Sequence, residues 1–365
     1  MAEGLRFKSG TIEIEKKFWH SGENAPLLAH IQAGFSGPWG GCVEEGGRGL
    51  LVSDSAMTSL GKKRVFEAGK GSISRWSVGS DGHLSEVDRS LVEGLTAPTG
   101  IAVLPVATER YPVGTIFVAC GSAHAVKSGF FVADREKFFS GIAVIHGGTG
   151  KNLGFIDLGP GGHTAQRLGH PALALGDMEF DSEGNLLVCD SGESLPGETK
   201  QEGVPGVYRI HHRAIDSLSL GLRDDKVLFA RVEDGPSGLC WVGEKKLFLL
   251  VTENRGDVYE LSLDDFLEDR EMVPLLKELS SLRDIVCLPG GTMIISRRER
   301  EALVVKTDRK QTRLCFTSGE ENDVLAGLVI MPMEEGGSFL FASGGALANG
   351  NPDPHIRLLC LPPVF

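Results

Sequence analysis

The chain has 365 residues, and its 37 Lys and Arg against 49 Asp and Glu give a formal net charge of −12. Nucleic acids are held chiefly by cations placed against phosphates, so an acidic chain without a basic face is a poor fit for such a partner. No segment approaches the roughly 18 consecutive apolar residues of a membrane span, and the N-terminal residues lack a secretory signal. We therefore expect a cytoplasmic protein that binds neither nucleic acid nor membrane.

The 49 glycines and 17 prolines are spread along the chain without a collagen-like period. This distribution indicates many tight turns between short elements, which favours an all-β protein. A two-domain α/β protein would need amphipathic helices of about 10 to 15 residues between its strands. The sequence does not contain them.

A degenerate repeat of two short apolar runs, separated by a polar or glycine-containing turn, aligns six times along the chain. Each pair of runs is typical of a β-hairpin. The first runs are PWGGCV (38–43), PTGIAV (98–103), GDMEF (176–180), PSGLCW (236–241), RDIVCL (283–288) and AGLVIM (326–331). The second runs are LLVSDS (50–55), IFVACGS (116–122), LLVCDSG (186–192), FLLVTEN (248–254), MIISRRE (293–299) and FLFASGG (339–345).

Further strand patterns follow most pairs, so that each unit holds about four strands. The sequence therefore predicts a six-bladed β-propeller in a single domain over residues 1–365, with blades that open near residues 36, 98, 176, 236, 283 and 326. Such a ring must be closed, because an unpaired strand exposes its backbone groups. The alternating N-terminal segment 10–18 is predicted to close it by pairing with the last blade beside 355–361.

Three segments, PTGIAV (98–103), GDMEFDSEGNLLVCDSG (176–192) and GPSGLCW (235–241), carry a family resemblance. They resemble the senescence-marker-protein and gluconolactonase-like six-bladed propellers. That resemblance implies a divalent cation on the propeller axis, held by an acid from the first blade and by Asn and Asp side chains that open other inner strands. It also implies metal-dependent hydrolysis of a lactone or ester.

The chain departs from this pattern at the expected metal ligands. The glutamate expected before GPxW is Ser36. The column that opens the inner strands lacks Asn, Asp and Glu; it consists of Trp39, Thr99, Gly176, Ser237, Arg283 and Ala326. A hard cation needs several oxygen ligands, and an arginine repels it. We therefore expect neither a metal nor another cofactor.

The positions one residue after the strand openings contain two acids, Asp177 and Asp284. If the inner strands are shifted by one residue, these acids supply carboxylates to the mouth of the propeller. We expect Arg283 to polarise a substrate carbonyl and place it with the two acids as the catalytic group. The other predicted site residues share a place at the mouth and would bind substrate; they are Trp39, Thr99, Ser237, Glu253 and Arg297.

Long segments at 121–140, 147–170 and 191–206 are predicted to project over the mouth, either as a lid or as plain surface insertions. They contain histidines that are alternative acid–base groups, because imidazole titrates near neutrality. These are His124, His146, His163 and His170.

Three functions stay open. The first is an enzyme of metal-independent cyclisation or hetero-Diels–Alder cycloaddition in natural-product biosynthesis, since the chain also resembles fungal propellers that join quinone methides to terpenes. This chemistry needs a dry cavity and a carbonyl-polarising donor, which suits Arg283. The alternatives are the metal-dependent lactonase or ester hydrolase and a propeller that binds without catalysis. In each enzyme reading the partner is a small molecule, for the first a hydrophobic one.

Overall fold

The structure is a computed structural model that describes residues 12–16, 27–31 and most of 35–361. The gaps within the last range are 36, 45, 48, 61–62, 67–68, 80–83, 122–130, 133–139, 193–202, 244–246, 253–254, 267–271, 280–281, 289–290, 298–300, 306–310, 316–323, 333–337 and 346–354.

Most described strands form antiparallel sheets of consecutive strands, here called sheets I to VI. Sheet I contains Pro38–Val43, Gly49–Asp54, Gly71–Val78 and Leu84–Leu95. Sheet II contains Ile101–Val103, Ile116–Cys120, Gly141–Ile145 and Asn152–Asp157. Sheet III contains Leu175–Phe180, Leu186–Asp190, Gly206–Ile210 and Val227–Arg231. Sheet IV contains Pro236–Val242, Leu247–Thr252, Val258–Leu261 and Pro274–Leu276. Sheet V contains Leu282–Cys287, Met293–Arg297, Glu301–Val305 and Gln311–Cys315. Sheet VI contains Val324–Pro332, Ser338–Gly345, His355–Leu361, Leu27–Ile31 and Ile12–Lys16.

The sheets are arranged as in a propeller. The first strand of each sheet contacts the first strand of the next, and that of sheet VI contacts that of sheet I. Apolar side chains fill the space between neighbouring sheets; for example, the rings of Phe117 in sheet II and Phe180 in sheet III meet edge to face with centroids 5.2 Å apart. The predicted all-β propeller class is confirmed.

The prediction that segment 10–18 pairs with the last strand of the final blade is wrong. Leu27–Ile31, and not 10–18, pairs with His355–Leu361. Ile12–Lys16 pairs with the outer edge of Leu27–Ile31. Both N-terminal segments are short and contain apolar residues, so the local pattern alone does not decide which of them is adjacent to the last blade.

Helix is scarce among the described residues. The α-helices there are His163–Leu168 and Ile215–Ser219, and the 3₁₀ helices are His212–Ala214 and Leu263–Phe266. In this part of the chain no helix has the length and apolar character needed to cross a membrane.

A smaller three-stranded sheet stands apart from sheets I to VI. Met57–Leu60 pairs with Lys63–Phe66, and Phe131–Val132 adds to it in parallel. Its strands come from two insertions. The insertion with Met57–Leu60 and Lys63–Phe66 follows Asp54, and the one with Phe131–Val132 follows Cys120; Asp54 and Cys120 each end the second strand of their sheet. The two insertions therefore leave sheets I and II at the same end of the propeller.

Candidate functional site

The first strands begin, and the second strands end, at one end of the ring, here called the mouth. Pro38 pairs with Asp54, and Leu282 pairs with Arg297 at this end. A cavity opens there, with about 40 Å³ of space available to the centre of a water molecule and about 620 Å³ of empty space when the open mouth is included. Its lining comes from all the sheets and consists of Trp39, Gly40, Thr99, Gly100, Ala174, Leu175, Gly176, Asp177, Ser191, Pro236, Ser237, Arg283, Asp284, Ala326 and Gly327.

An arginine and a tryptophan form one wall of this cavity. The Arg283 guanidinium carbon lies 5.8 Å from the Trp39 ring centroid, within the range of a cation–π contact. Arg283 is buried, with 7% of its surface exposed. The strand between them carries Ala326 and Gly327, whose small size leaves the cavity open at this point. The structure thus brings together two of the residues that the sequence assigned to the mouth.

Two carboxylates of the cavity hold the backbone of the next sheet. The Asp177 Oδ2 atom accepts a hydrogen bond of 3.0 Å from the Leu239 amide, which joins sheet III to sheet IV. The Asp284 Oδ2 atom accepts one of 2.6 Å from the Leu328 amide, which joins sheet V to sheet VI. The other oxygen of Asp284 accepts from the Ile285 amide at 2.8 Å.

The line of contact between the first strands of two neighbouring sheets is here called a seam. Hydroxyl groups link the sheets at the remaining seams. Ser53 Oγ donates to the Thr99 carbonyl at 2.7 Å, and Ser343 Oγ donates to the Trp39 carbonyl at 2.6 Å. Thr99 Oγ1 donates to the Leu175 carbonyl at 3.1 Å, and Ser237 Oγ lies 3.5 Å from the Leu282 carbonyl. Thr99 and Ser237, which the sequence assigned to substrate, line the cavity, but their hydroxyls face these carbonyls.

Burial raises the pKa values of the acids near the axis. It raises the pKa of Asp177 to about 6, while the backbone amides of Leu239 and Met178 act in the opposite direction. Burial, together with the charge of Asp177, raises the pKa of Glu179 to about 8. The same two causes raise the pKa of Asp284 well above 3.8.

Sequence reasoning missed Glu179. The signal that could have found it is the strand period of two, which places Asp177 and Glu179 on the same face of GDMEF. Its Oε2 atom accepts a hydrogen bond of 2.6 Å from the Trp241 amide, one step farther along the same seam as the Asp177 contact.

The donor set at the axis does not fit a divalent cation. Both carboxylate oxygens of Asp284 accept hydrogen bonds from backbone amides, and one oxygen of Asp177 accepts from the Leu239 amide. The cation Arg283 lines the same cavity. In the part of the chain that the structure describes, no group of three His, Cys, Asp or Glu could hold a metal ion. Ser36, the first point of departure from the resembled family, lies outside the described residues.

The remaining predicted substrate residues are Glu253 and Arg297. Glu253 lies outside the described residues. Arg297 ends the second strand of sheet V opposite Leu282, is half-buried, and is not among the residues of the cavity lining. Arg297 therefore lies at the mouth end of its strand, and its assignment to substrate binding stays a prediction.

The predicted lid segments and histidines fall in different places. His124, with most of 121–140 and 191–206, lies outside the described residues. The turn that contains His146 follows Ile145 at the end opposite the mouth, so the prediction for the first part of 147–170 is wrong; His146 Nδ1 there accepts the amides of two turn residues. His163 is exposed on a helix, and His170 lies 3.3 Å from the Tyr208 hydroxyl. None of these three described histidines lines the cavity.

Comparison with solved structures places this architecture among known propellers. A gluconolactonase from Xanthomonas campestris is 14% identical, with 93% of this chain and 90% of that chain covered and a TM-score of 0.55. A luciferin-regenerating enzyme is 11% identical, with 93% of this chain and 97% of that chain covered and a TM-score of 0.57. Regucalcin from Agrobacterium tumefaciens, a calcium-binding protein, is 11% identical, with 91% of this chain and 93% of that chain covered and a TM-score of 0.55.

No protein family matches the chain by its sequence profile, and no curated protein matches it by sequence. The structural likeness, at identities this low, shows the fold: the chain is a β-propeller of the kind found in gluconolactonase-like and regucalcin-like proteins. This agrees with the first of the two resemblances expected from the sequence.

Proposed function

We propose that the protein is an enzyme that hydrolyses a small lactone or ester in the axial cavity, with Arg283 in the role that a metal ion has in metal-dependent hydrolases. The observation that carries the proposal is the buried Arg283 against the Trp39 ring, in a cavity that also contains Asp177. A preorganised cation in a water-poor site stabilises the negative charge that develops on a carbonyl oxygen.

The residues of the cavity then have distinct tasks. Arg283 donates to the carbonyl oxygen, and Trp39 packs against the apolar face of the substrate. Asp177, with its pKa raised to about 6, is largely ionised at neutral pH and accepts a proton from the attacking water. The water oxygen bonds to the acyl carbon, the carbon–oxygen bond of the ring or ester breaks, and the leaving oxygen takes the proton back from Asp177. Asp284, bound to two amides, keeps the adjacent strand in place.

The solved gluconolactonases with the same fold support hydrolysis over other reactions. The donor set supports a version of that reaction in which the chain's own cation polarises the carbonyl, because the acids near the axis are engaged by backbone amides. The same Arg283–Trp39 contact also fits a second candidate. Cyclisation or hetero-Diels–Alder addition needs a carbonyl-polarising donor beside an apolar wall, which Arg283 and Trp39 also provide.

The test is hydrolysis of a panel of γ- and δ-lactones and aryl esters by wild type, Arg283→Ala and Arg283→Lys, with and without EDTA. We expect Arg283→Ala to reduce kcat/KM by about 10²- to 10³-fold, Lys to restore part of it, and EDTA to have no effect. The matched control is Arg255→Ala, since Arg255 is an exposed arginine paired with Glu233.

Mass spectrometry separates the two candidate reactions. A hydrolysed product gains the mass of one water, whereas a cyclised product keeps the mass of its precursor. Activity that EDTA abolishes and one divalent metal restores would contradict the proposal. So would full activity of folded Arg283→Ala.

A further inference from the structure

Two carboxyl groups lie next to each other on the inner strand of sheet III. Asp177 and Glu179 are two residues apart, so their side chains leave the strand on the same face. Both reach the first strand of sheet IV, where Asp177 accepts the Leu239 amide at 3.0 Å and Glu179 accepts the Trp241 amide at 2.6 Å. The pair therefore lies along one seam, with Asp177 at the cavity and Glu179 one step farther from the mouth.

The titratable groups coupled to Glu179 are carboxyl groups and thiols. The charge of Asp177, on the same strand, raises the pKa of Glu179, and the charge of Glu179 in turn contributes to the raised pKa values of Asp284 in sheet V and of the thiols of Cys240 in sheet IV and Cys42 in sheet I. Like charges placed together in a buried site cannot all ionise, so such a cluster keeps at least one proton. The charge of the cluster then depends on which member holds that proton.

We propose that Glu179 is a positioning residue that acts through Asp177, because it keeps a proton in the axial acid cluster and so limits the pair to one negative charge. The inference rests on the proposed function, in which Asp177 receives the proton of the attacking water. Loss of the Glu179 proton adds a second negative charge next to Asp177. That charge opposes the negative charge that develops on the substrate oxygen, and activity falls.

The proton affinities of the two groups agree with this division. The pKa of Asp177 is raised to about 6 and that of Glu179 to about 8, so near pH 7 the first is largely ionised and the second is protonated. Pairs of acids with separated pKa values are typical of sites in which one member acts as base and the other stays neutral. The active state is then bounded by Asp177 on the acid side and by Glu179 on the alkaline side.

The experiment compares pH–rate profiles of wild type and Glu179→Gln on the best lactone of the panel. Glutamine keeps an oxygen for the Trp241 amide and stays neutral at every pH. We expect wild-type kcat/KM to fall tenfold per pH unit above about pH 8, and Glu179→Gln to keep its neutral-pH rate through pH 9. Glu260→Gln is the control, since Glu260 is exposed on the third strand of sheet IV and its removal should leave the alkaline limb in place.

A second readout does not need turnover. Glu179 has a raised pKa in the folded state, so its contribution to stability is present at low pH and lost as the pH rises through about 8. The melting temperature of wild type should fall as the pH rises from about 5 to about 8, and that of Glu179→Gln should fall less. If that variant does not fold, ¹³C NMR of glutamate-labelled wild type should show a side-chain carboxyl that titrates near pH 8.

The outcomes separate the two claims. A wild type that opens no lactone but shows this pH-dependent melting, or a carboxyl that titrates near pH 8 by NMR, contradicts the proposed function and leaves the cluster charge as inferred. A wild type that opens lactones with the same alkaline limb in Glu179→Gln contradicts the role of Glu179. Absence of any carboxyl that titrates near pH 8 contradicts it as well.

Discussion

The seams between sheets are of two kinds, and the column next to the strand openings distinguishes them. Where this column contains glycine, the backbones approach closely and a hydroxyl bridges them, as Ser343 does between Gly327 and Trp39. Where it contains aspartate, as at Asp177 and Asp284, the carboxylate bonds the next backbone amide directly. One column of the sequence thus encodes both the spacing of the sheets and the charge at the axis.

This difference gives the two kinds of seam separate properties. In the glycine seams, I–II, II–III, IV–V and VI–I, the contacts next to the axis are made by neutral hydroxyl groups, and these contacts should respond little to pH. The aspartate seams, III–IV and V–VI, carry titratable groups whose pKa values are raised by burial. The acids of the proposed reaction belong to the second kind, so the same side chains serve assembly of the ring and chemistry.

The largest effect is expected where a glycine seam is blocked. In Gly327→Ala the added Cβ would collide with the Trp39 carbonyl oxygen and lie 3.0 Å from Ser343 Oγ. Backbone must move to relieve this clash, so we expect a loss of at least about 3 kcal/mol in the free energy of unfolding. Urea unfolding followed by tryptophan fluorescence measures it. Gly148→Ala is the control, because its Cβ would meet nothing closer than 3.3 Å.

The next largest effect is expected at an aspartate seam. Asp284→Ala removes the acceptor for the Leu328 and Ile285 amides and leaves buried donors without their partner, at a cost of about 2 to 3 kcal/mol. Asp284→Asn keeps one acceptor oxygen and should lose less. Equal losses for the two variants in urea unfolding would contradict the role of the carboxylate oxygens.

The pH dependence of these variants tests the charge of the seam. Because the pKa of folded Asp284 is raised above 3.8, the folded state binds the proton more tightly than the unfolded chain does. Its contribution to stability is complete below that ordinary value and is lost as the pH rises through the raised one. Wild type should therefore lose stability with rising pH more steeply than Asp284→Asn in a series of urea midpoints.

The strands and columns of this propeller follow from the sequence because they depend on local patterns. Five- to six-residue apolar runs and their turns predict the paired strands of sheets I to VI, and the alignment of these runs brings Trp39 and Arg283 to one cavity. The choice of Leu27–Ile31 over 10–18 as the neighbour of His355–Leu361 does not follow, because the patterns of both segments are compatible with a strand.

The roles of the axial acids could not be predicted for a different reason. The partner of Asp177 is an amide 62 positions away in the next sheet, and only the crossing of two inner strands determines that distance. Glu179 makes the equivalent contact with Trp241; the strand period places it on the same face as Asp177 but does not show that this face meets the next sheet. Contacts across a seam depend on the approach of the backbones, which a strand pattern does not contain.

The smallest effect is expected within the glycine seams, where hydrogen-bond length should rank two serines. Ser343 Oγ donates to the Trp39 carbonyl at 2.6 Å and accepts from the Gly327 amide at 2.9 Å, so Ser343→Ala should cost about 1 kcal/mol. Ser237 Oγ lies 3.5 Å from both the Val251 and Leu282 carbonyls, a distance at which a hydrogen bond is weak, so Ser237→Ala should cost less than about 0.5 kcal/mol. Both losses should be the same at pH 6 and pH 8, because no charge is removed. A larger loss for Ser237→Ala, or a loss that changes with pH, would mean that the hydroxyl seams are coupled to the axial acids and that the two kinds of seam are not independent.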